Sequence, residues 1–196
     1  MITLTLPPAL SLSPDAFAQL CRSNPEVRLE RTANGELTIM APTGSESGRQ
    51  SLGLSAQLWL WNQRTRLGVA FDSSTGFCLP NGAIRSPDAA WIAQARWQAL
   101  SPVQRRQFAP ICPDFVMELC SPSDDLALLQ VKMQEYQANG CRLGWLLDPE
   151  RRQVWTYRPG SAVTVLEAPA QVSGDPELPG FCLETAFIWG DAGEID

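Results

Sequence analysis

The pattern of apolar positions predicts short strands interleaved with helices in the first half of the chain. Runs that are apolar at alternate positions, or nearly continuously, predict strands at Val27–Glu30, Glu36–Met40, Val69–Leu79 and Pro87–Ala93. Helical spacing predicts helices at Pro14–Arg22, from about Glu46 to Arg66, and at Ala95–Phe108 with a break at Pro102. An Asn-Gly dipeptide separates the first two strands and is typical of a hairpin turn.

The second half of the chain has a clearer pattern. Phe115–Leu119, with the sequence FVMEL, predicts a buried strand, and a helix is predicted over Leu126–Asn139, with Gly140 at its end. A hairpin and an edge strand are predicted at Leu143–Asp148, Gln153–Arg158 and Val163–Leu166. Because strands and helices interleave throughout, we expect an α/β (α+β) fold with a mixed sheet, onto which the apolar tail packs.

The composition is that of a globular protein. The chain has 196 residues, of which 44% are hydrophobic and 18% charged, so we expect one domain over residues 1–196. Its apolar runs are shorter than the roughly 18–20 residues of a membrane span, and its first residues lack the basic segment of a secretion signal. The six cysteines form no CxxC pair, which predicts reduced thiols and a cytoplasmic protein.

Histidine is absent, and this excludes two large classes of site. A catalytic triad or dyad that uses histidine, such as Ser-His-Asp or Cys-His, cannot form. A histidine-ligated zinc site cannot form either. A metal would have to be a hard cation that Asp and Glu oxygens hold. The net charge of −6 also argues against avid, non-specific DNA binding, because proteins that bind in this way usually carry a basic excess.

Lys132 is the single lysine among 15 basic residues. On the predicted helix it shares a face with Leu128, Leu129 and Tyr136, and we expect this face to turn towards the sheet. A lysine in that place needs a carboxylate partner or must lose its proton. Alternatively, its stem lies along the apolar surface and its ammonium extends to water.

Glu118 is a candidate partner because it lies in the predicted strand directly before that helix. With Val116 it occupies one face of the strand, while Phe115, Met117 and Leu119 occupy the other. An ionised carboxylate between apolar neighbours is costly unless it is paired or binds a metal. If that face is exposed to solvent instead, Glu118 needs no partner.

A metal site needs a second acid, and two Pro-Asp pairs offer one. Asp114 lies in the same strand as Glu118, roughly 13 Å away at ~3.3 Å per residue, which is too far for a shared magnesium ion. Asp88, in a neighbouring predicted strand, is the better candidate, although an Asp after proline is also common in turns. Two carboxylates could hold Mg²⁺ while Lys132 orients or deprotonates a water and stabilises developing negative charge. Such a site would hydrolyse a phosphodiester and would need no histidine.

Several motifs together resemble those of the Uma-two family of restriction-endonuclease-like proteins. In chain order they are APTGSESGRQ (41–50), QLWLWN (57–62), FDSSTGF (71–77), SPD (86–88), MEL (117–119), SPSDD (121–125), KMQEY (132–136), GWLLDP (144–149) and DPELPGF (175–181). The resemblance covers nearly the whole chain. It implies a PD-(D/E)XK nuclease core, in which a mixed sheet flanked by helices binds Mg²⁺ or Mn²⁺.

The resemblance also implies roles for individual residues. Asp88 matches the aspartate of the motif, and Glu118 matches its second acid. The main-chain carbonyl of Leu119 would be a further metal ligand. Glu46 matches an additional catalytic acid on the first core helix.

One position departs from the usual motif. Cys120 stands where the motif has lysine, and Lys132 matches the place on the following helix to which the lysine has moved in this family. The inference from the buried helix face and the resemblance therefore point to the same lysine.

We accordingly expect a Mg²⁺-dependent endonuclease that acts on DNA, including short or single-stranded DNA, as a homodimer. The dimer is expected by analogy with related enzymes that cut in pairs. The acidic balance and Cys120 leave two alternatives open. One is a catalytically inactive nuclease-fold module for binding or assembly, and the other is a metal-dependent phosphatase or nuclease with a different substrate.

Overall fold

The computed structural model describes residues 2–4 and 11–190. Its helices are α1 (Pro14–Ser23), α2 (Ser45–Thr65), α3 (Gln94–Ala99), α4 (Pro102–Arg105) and α5 (Leu126–Ala138). Its strands are β1 (Ile2–Leu4), β2 (Arg28–Arg31), β3 (Leu37–Met40), β4 (Gly68–Asp72), β5 (Phe77–Cys78), β6 (Ile84–Arg85), β7 (Ala89–Ala93), β8 (Phe115–Leu119), β9 (Leu143–Asp148), β10 (Gln153–Tyr157), β11 (Thr164–Glu167), β12 (Gln171–Ser173) and β13 (Cys182–Glu184).

A six-stranded mixed sheet with strand order β11-β10-β9-β8-β7-β4 forms the centre of the fold. Its neighbouring strands are antiparallel except β8 and β9, which are parallel. A parallel pair needs a long crossover connection, and here α5 makes it and packs against β9. The helix that carries Lys132 is therefore held close to the strand that carries Glu118.

One face of this sheet is covered by α2 and the C-terminal segment. Leu54, Leu58 and Trp61 of α2 are buried against Phe115 and Met117 of β8. The predicted packing of the tail is confirmed, because the same core contains its apolar residues Leu178, Phe181, Leu183, Phe187 and Trp189.

The opposite face is covered by α5 and by part of a second, antiparallel sheet with strand order β1-β3-β2-β6-β5. Val116 of β8 packs there with Leu129, Met133 and Tyr136 of α5. The side chains of β8 thus alternate between the two cores as the sequence pattern predicts. Glu118 lies on the α5 side.

The capping and turn residues predicted from the sequence form the expected hydrogen bonds and turn. Ser13 caps α1 by accepting a hydrogen bond from the Ala16 N–H at 3.2 Å, and Asp125 caps α5 by accepting one from the Ala127 N–H at 2.8 Å. Gly35 forms the hairpin turn between β2 and β3 with a φ of 84°, a conformation that favours glycine. The Asp125 cap sets the start of α5, the helix that carries Lys132.

Two details of the expected fold are wrong. Val69–Leu79 is not one strand, because Asp72 accepts hydrogen bonds from Ser74 and Thr75 and the chain turns between β4 and β5. Leu128, expected beneath its helix, is 58% exposed. The face of α5 that is buried consists of Leu129, Lys132, Met133 and Tyr136.

Among residues 2–4 and 11–190, none of the helices combines the length and the apolar character that crossing a membrane requires. All six cysteines are free. Cys112 and Cys141 are buried in the core beneath α5, where they act as small apolar side chains.

Gly68 pairs with β7 at a point that leaves no room for a side chain. A Cβ atom there would collide with the carbonyl oxygen of Ile92 and would lie 2.5 Å from the Trp91 indole. We expect Gly68→Ala to lower the free energy of unfolding by about 1–3 kcal/mol, the usual cost of overpacking, as measured by urea denaturation.

Gly48→Ala on α2 is the matched control. A Cβ atom at Gly48 would have the Thr43 methyl, 3.9 Å away, as its contact within 4 Å, and alanine favours a helix interior over glycine by roughly 0.5–1 kcal/mol. Equal stability of the two variants would contradict the close packing at Gly68.

Candidate active site

A pocket of about 440 Å³ opens beside β7 and β8, between the start of α2 and α5. Asp88, Glu118, Leu119 and Lys132 all line it. The fold therefore brings together four of the five residues singled out in the sequence, from the residue before β7, from β8 and from α5.

Asp88 and Glu118 face each other because of the register between β7 and β8. The last pair of this antiparallel ladder is Ala89 with Met117, so the next pair in the same register is Asp88 with Glu118. Directly opposed residues have Cβ atoms about 4.5–5.5 Å apart. The N–H of Leu119 donates a hydrogen bond to Asp88 Oδ2 at 2.8 Å and fixes the Asp88 carboxylate at this position.

The backbone of Leu119 faces the same place. In a paired strand the N–H and the C=O of one residue point towards the same neighbouring strand. Because the N–H of Leu119 points to Asp88, its carbonyl also lies on the side of Asp88. The next N–H, that of Cys120, points the other way and donates to the Leu147 carbonyl in β9.

Lys132 is buried and lies between two carboxylates. Its Nζ is 2.8 Å from Glu118 Oε1 and 2.9 Å from Glu30 Oε1. Since 6% of the Lys132 side chain is exposed, the alternative in which the ammonium extends to water is wrong. The alternative of a solvent-exposed Glu118 is also wrong, because its side chain is 5% exposed.

Glu30 is the residue of this group that sequence reasoning missed. It lies on β2 and is completely buried. Besides Lys132, it accepts hydrogen bonds from Arg85 Nη1 at 3.2 Å and from the Ser86 N–H at 2.7 Å. Its sequence, RLER in β2, gives no sign of burial, because charged residues occupy both faces of the strand.

Two further residues of α5 complete the network. The Tyr136 hydroxyl donates a hydrogen bond to Glu118 Oε1 at 3.0 Å. Glu135 Oε2 is 2.6 Å from Arg85 Nε, so Arg85 joins two carboxylates, Glu135 and Glu30. The face of α5 that was expected to pack on the sheet therefore also supplies polar groups to the site.

The electrostatics follow from burial and charge. Burial raises the pKa of Glu118 to about 7; Lys132 opposes this shift, and the charges of Asp88 and Glu30 add to it. Burial likewise raises the pKa of Asp88, against the opposing Leu119 N–H and Lys132. Burial also tends to lower the pKa of Lys132, but Glu118 and Glu30 outweigh it, so the pKa of this ammonium rises. The pKa of Glu30 falls, because Lys132, Arg85 and the Ser86 N–H outweigh burial.

The donor set suits one hard divalent cation. The charged side chains that line the pocket are the acids Asp72, Asp88, Glu118 and Asp124 and the bases Arg28 and Lys132. When all of them are ionised, four acids and two bases leave two negative charges. In addition, both hydrogen bonds that Glu118 makes to the described residues go to Oε1, which leaves Oε2 for a ligand.

Within the described ranges, no three Asp, Glu, Cys or His side chains lie close enough together to form a metal site by themselves. Magnesium usually keeps several waters and takes one or two carboxylates. Asp88, Glu118 and the Leu119 carbonyl fit that requirement, whereas a site made entirely of side chains does not form.

Glu46 is not brought into the pocket. Its carboxylate accepts a hydrogen bond from Arg49 Nε at 3.2 Å on the exposed side of α2, and both side chains are about half exposed or more. Cys120 is half-buried, and burial raises the pKa of its thiol to about 11, so it is neutral. Asp114 lies at the far end of β8, where it accepts the Ala93 N–H at 2.8 Å.

Comparison with known proteins gives a consistent result. The model of the Uma2 family, described as "Putative restriction endonuclease", matches residues 14–186. The fold is similar to that in the crystal structure of "a putative nuclease belonging to DUF820" from Anabaena variabilis, with a TM-score of 0.76. The similarity covers 91% of this chain and 98% of that chain, at 17% sequence identity. No curated protein matches the sequence significantly.

The raised pKa of Glu118 makes divalent-metal binding depend on pH. Metal ligation needs an ionised carboxylate, and the pKa of Glu118 is about 7. Glu118 is mostly protonated at pH 6 and mostly ionised at pH 8, and one pH unit changes the ratio of the two forms tenfold. We expect millimolar Mn²⁺ to raise Tm more at pH 8 than at pH 6, as measured by thermal unfolding.

In Glu118→Gln, which lacks this ionisable ligand, the Mn²⁺-induced shift and most of its pH dependence should be lost. An equal Mn²⁺-induced shift at pH 6 and pH 8 in the unmodified chain would show that Glu118 does not hold the metal.

Removing the ammonium should also destabilise the fold. Lys132→Met leaves Glu30 and Glu118 buried without their shared partner, and breaking a buried pair in this way typically costs about 3–5 kcal/mol. Arg49→Met, which breaks the exposed pair with Glu46, should change stability far less. Chemical denaturation of both variants measures the difference, and comparable losses would argue against a buried ionic network.

Proposed function

The chain belongs to the Uma2 family, and from that premise we propose that it is a Mg²⁺-dependent endonuclease that hydrolyses phosphodiester bonds of DNA. One observation carries the proposal. Asp88 and Glu118 are opposed in the pocket, and the buried Lys132 ammonium lies 2.8 Å from Glu118. Carboxylates beside an ammonium form a site suited to a metal ion and a phosphate.

Asp88, Glu118 and the carbonyl of Leu119 are the groups that would hold the cation, with Mn²⁺ as a substitute. When bound, the cation would polarise a phosphoryl oxygen and lower the pKa of a water. The Leu119 N–H keeps Asp88 in place, and Tyr136 and Lys132 occupy one oxygen of Glu118. The hydrogen bonds of the chain thus orient both acids before a ligand arrives.

Lys132 acts in this proposal as a fixed positive charge. Two neighbouring carboxylates raise its pKa, so it is a poor proton acceptor at neutral pH. An ammonium has three N–H donors, and two of them go to Glu30 and Glu118. The third is available to a phosphate oxygen or to the attacking water, whose developing negative charge it would stabilise.

The start of α2 adds a second feature that favours phosphate. Gly44 precedes this helix and supplies no side-chain cap, and Thr43, Ser47 and Gly48 line the pocket. Free N–H groups and the helix dipole at an N-terminus attract anions. The start of α2 therefore adds donors to the lining of the pocket.

The proposed substrate is DNA, with short or single-stranded DNA preferred over a long duplex. Arg28 and Lys132 are the basic residues that line the pocket, and the chain has a net charge of −6. Long duplexes are usually held by many phosphate contacts. The proposal also includes a single domain over residues 1–196, a homodimer and a cytoplasmic location, and Glu46 stays a prediction from the resemblance.

A catalytically inactive module is the competing function, and Cys120 favours it, since a neutral thiol cannot replace the motif lysine. Lys132 weakens this argument, because its ammonium lies beside Glu118 and could replace the motif lysine. The buried ammonium is compatible with both functions, and the Glu118 Oε2 that is left for a ligand beside it in the pocket favours catalysis.

Cleavage assays test the proposal. With Mg²⁺ or Mn²⁺ we expect the chain to cut single-stranded oligonucleotides and to nick supercoiled plasmid. Removing a group that stabilises developing charge typically lowers kcat about 10²–10³-fold, so Lys132→Ala should lose activity by that factor. Asp88→Asn and Glu118→Gln should lose it at least as strongly.

All variants should be purified identically, with thermal unfolding as a check on folding. Glu46→Gln shows whether that acid contributes. Equal cleavage by the unmodified chain and by folded Glu118→Gln would refute the proposal, since it would point to a contaminating nuclease. No cleavage of any DNA substrate would favour the inactive module.

A further inference from the structure

Glu30 is a buried acid that has no part in the chemistry described so far. It comes from β2 in the second sheet, whereas Asp88, Glu118 and Lys132 come from the central sheet and its crossover helix. A carboxylate that is completely buried is costly unless several donors satisfy it. The groups that donate hydrogen bonds to Glu30 therefore indicate its role.

Three groups donate hydrogen bonds to the Glu30 carboxylate. One is the Lys132 ammonium, and the other two come from Ser86 and Arg85. The Ser86 N–H donates to Oε1 at 2.7 Å, and Arg85 Nη1 donates to Oε2 at 3.2 Å. Arg85 is itself fixed by Glu135. Glu30 is thus a rigid acceptor, with a position that does not depend on the lysine.

The Lys132 ammonium lies between this rigid acceptor and Glu118. Its distances to the two carboxylates, 2.9 Å and 2.8 Å, are nearly equal. With both acceptors present, two of the three N–H bonds have fixed directions, so the direction of the third is also fixed. With Glu118 alone, the ammonium could rotate and move with its flexible stem.

We propose that Glu30 is a positioning residue, which holds the Lys132 ammonium against Glu118 so that its remaining N–H points into the pocket. This inference rests on the proposed nuclease function for its catalytic meaning. It also assigns a purpose to the second sheet, namely to bring one carboxylate to the far side of the lysine.

Glu135 provides a matched control on the same network. Like Glu30, it is a glutamate paired with Arg85. The Glu135 carboxylate bonds to Asn81 and Arg85, whereas that of Glu30 also bonds to Lys132. A network that only stabilises the fold would lower stability in both variants and leave the Lys132 ammonium in place. Positioning of Lys132 would displace the ammonium in Glu30→Gln and far less in Glu135→Gln, where the Ser86 N–H still holds Glu30.

The single lysine permits a direct measurement. In protein labelled with ¹⁵N-lysine, the side-chain signal comes from Lys132 alone. We expect a slowly exchanging ammonium signal in the unmodified chain and in Glu135→Gln, and a shifted or exchange-broadened signal in Glu30→Gln. A rapidly exchanging, solvent-like signal in the unmodified chain would overturn the proposal without any variant.

Kinetics provide the second readout. Losing a residue that orients a catalytic group typically costs about 10–100-fold in activity. For Glu30→Gln we expect that loss in kcat, with KM for an oligonucleotide within about twofold, since Glu30 does not line the pocket. Unchanged kcat in Glu30→Gln, or an equal fall in kcat in both variants, would contradict positioning.

The two proposals fail in different ways. If no DNA is cleaved but the Lys132 signal responds to Glu30→Gln and not to Glu135→Gln, the proposed function fails and the positioning stands. If DNA is cleaved and the two variants give the same spectra and the same kcat, the positioning fails and the proposed function stands. Should Glu30→Gln not fold, Glu30→Asp takes its place, because its carboxylate is one methylene shorter; an unchanged Lys132 signal in that folded variant would overturn the positioning.

Discussion

The structure depends on one costly burial, that of a lysine ammonium between two sheets. A buried charge is tolerated when it is paired with opposite charges and hydrogen-bonded to them. Here the central sheet supplies Glu118 and the second sheet supplies Glu30. The relative position of the two sheets is consequently tied to a single ammonium.

The same constraint explains the layout of the surrounding groups. Arg85 and the Ser86 N–H satisfy Glu30, and Tyr136 satisfies the shared oxygen of Glu118. Each donor offsets the cost of burying a carboxylate beside the pocket. What remains on the pocket side is an excess of acid, which a divalent cation would neutralise. Stability and the proposed chemistry thus use the same contacts.

The part of the site that is local in sequence could be predicted. Glu118 and Lys132 lie on a strand and the helix that follows it, so periodicity alone brings them together, and Asp88 was expected on a neighbouring strand. Glu30 could not be found in this way. It is about 90 residues from Glu118 in sequence, and the adjacent arginines make its strand look solvent-exposed. The helical pattern of apolar residues also predicted too wide a buried face for α5, because Leu128 is apolar yet exposed.

The burial of the chain's single lysine has a consequence beyond catalysis. The other basic side chains are guanidinium groups, so the one side-chain amine is that of Lys132, which burial and two carboxylates protect from reagents or enzymes that acylate or conjugate lysine. Such chemistry could reach Lys132 in molecules whose site has already come apart. For this protein, covalent tagging at lysine would report that its ionic centre has been dismantled.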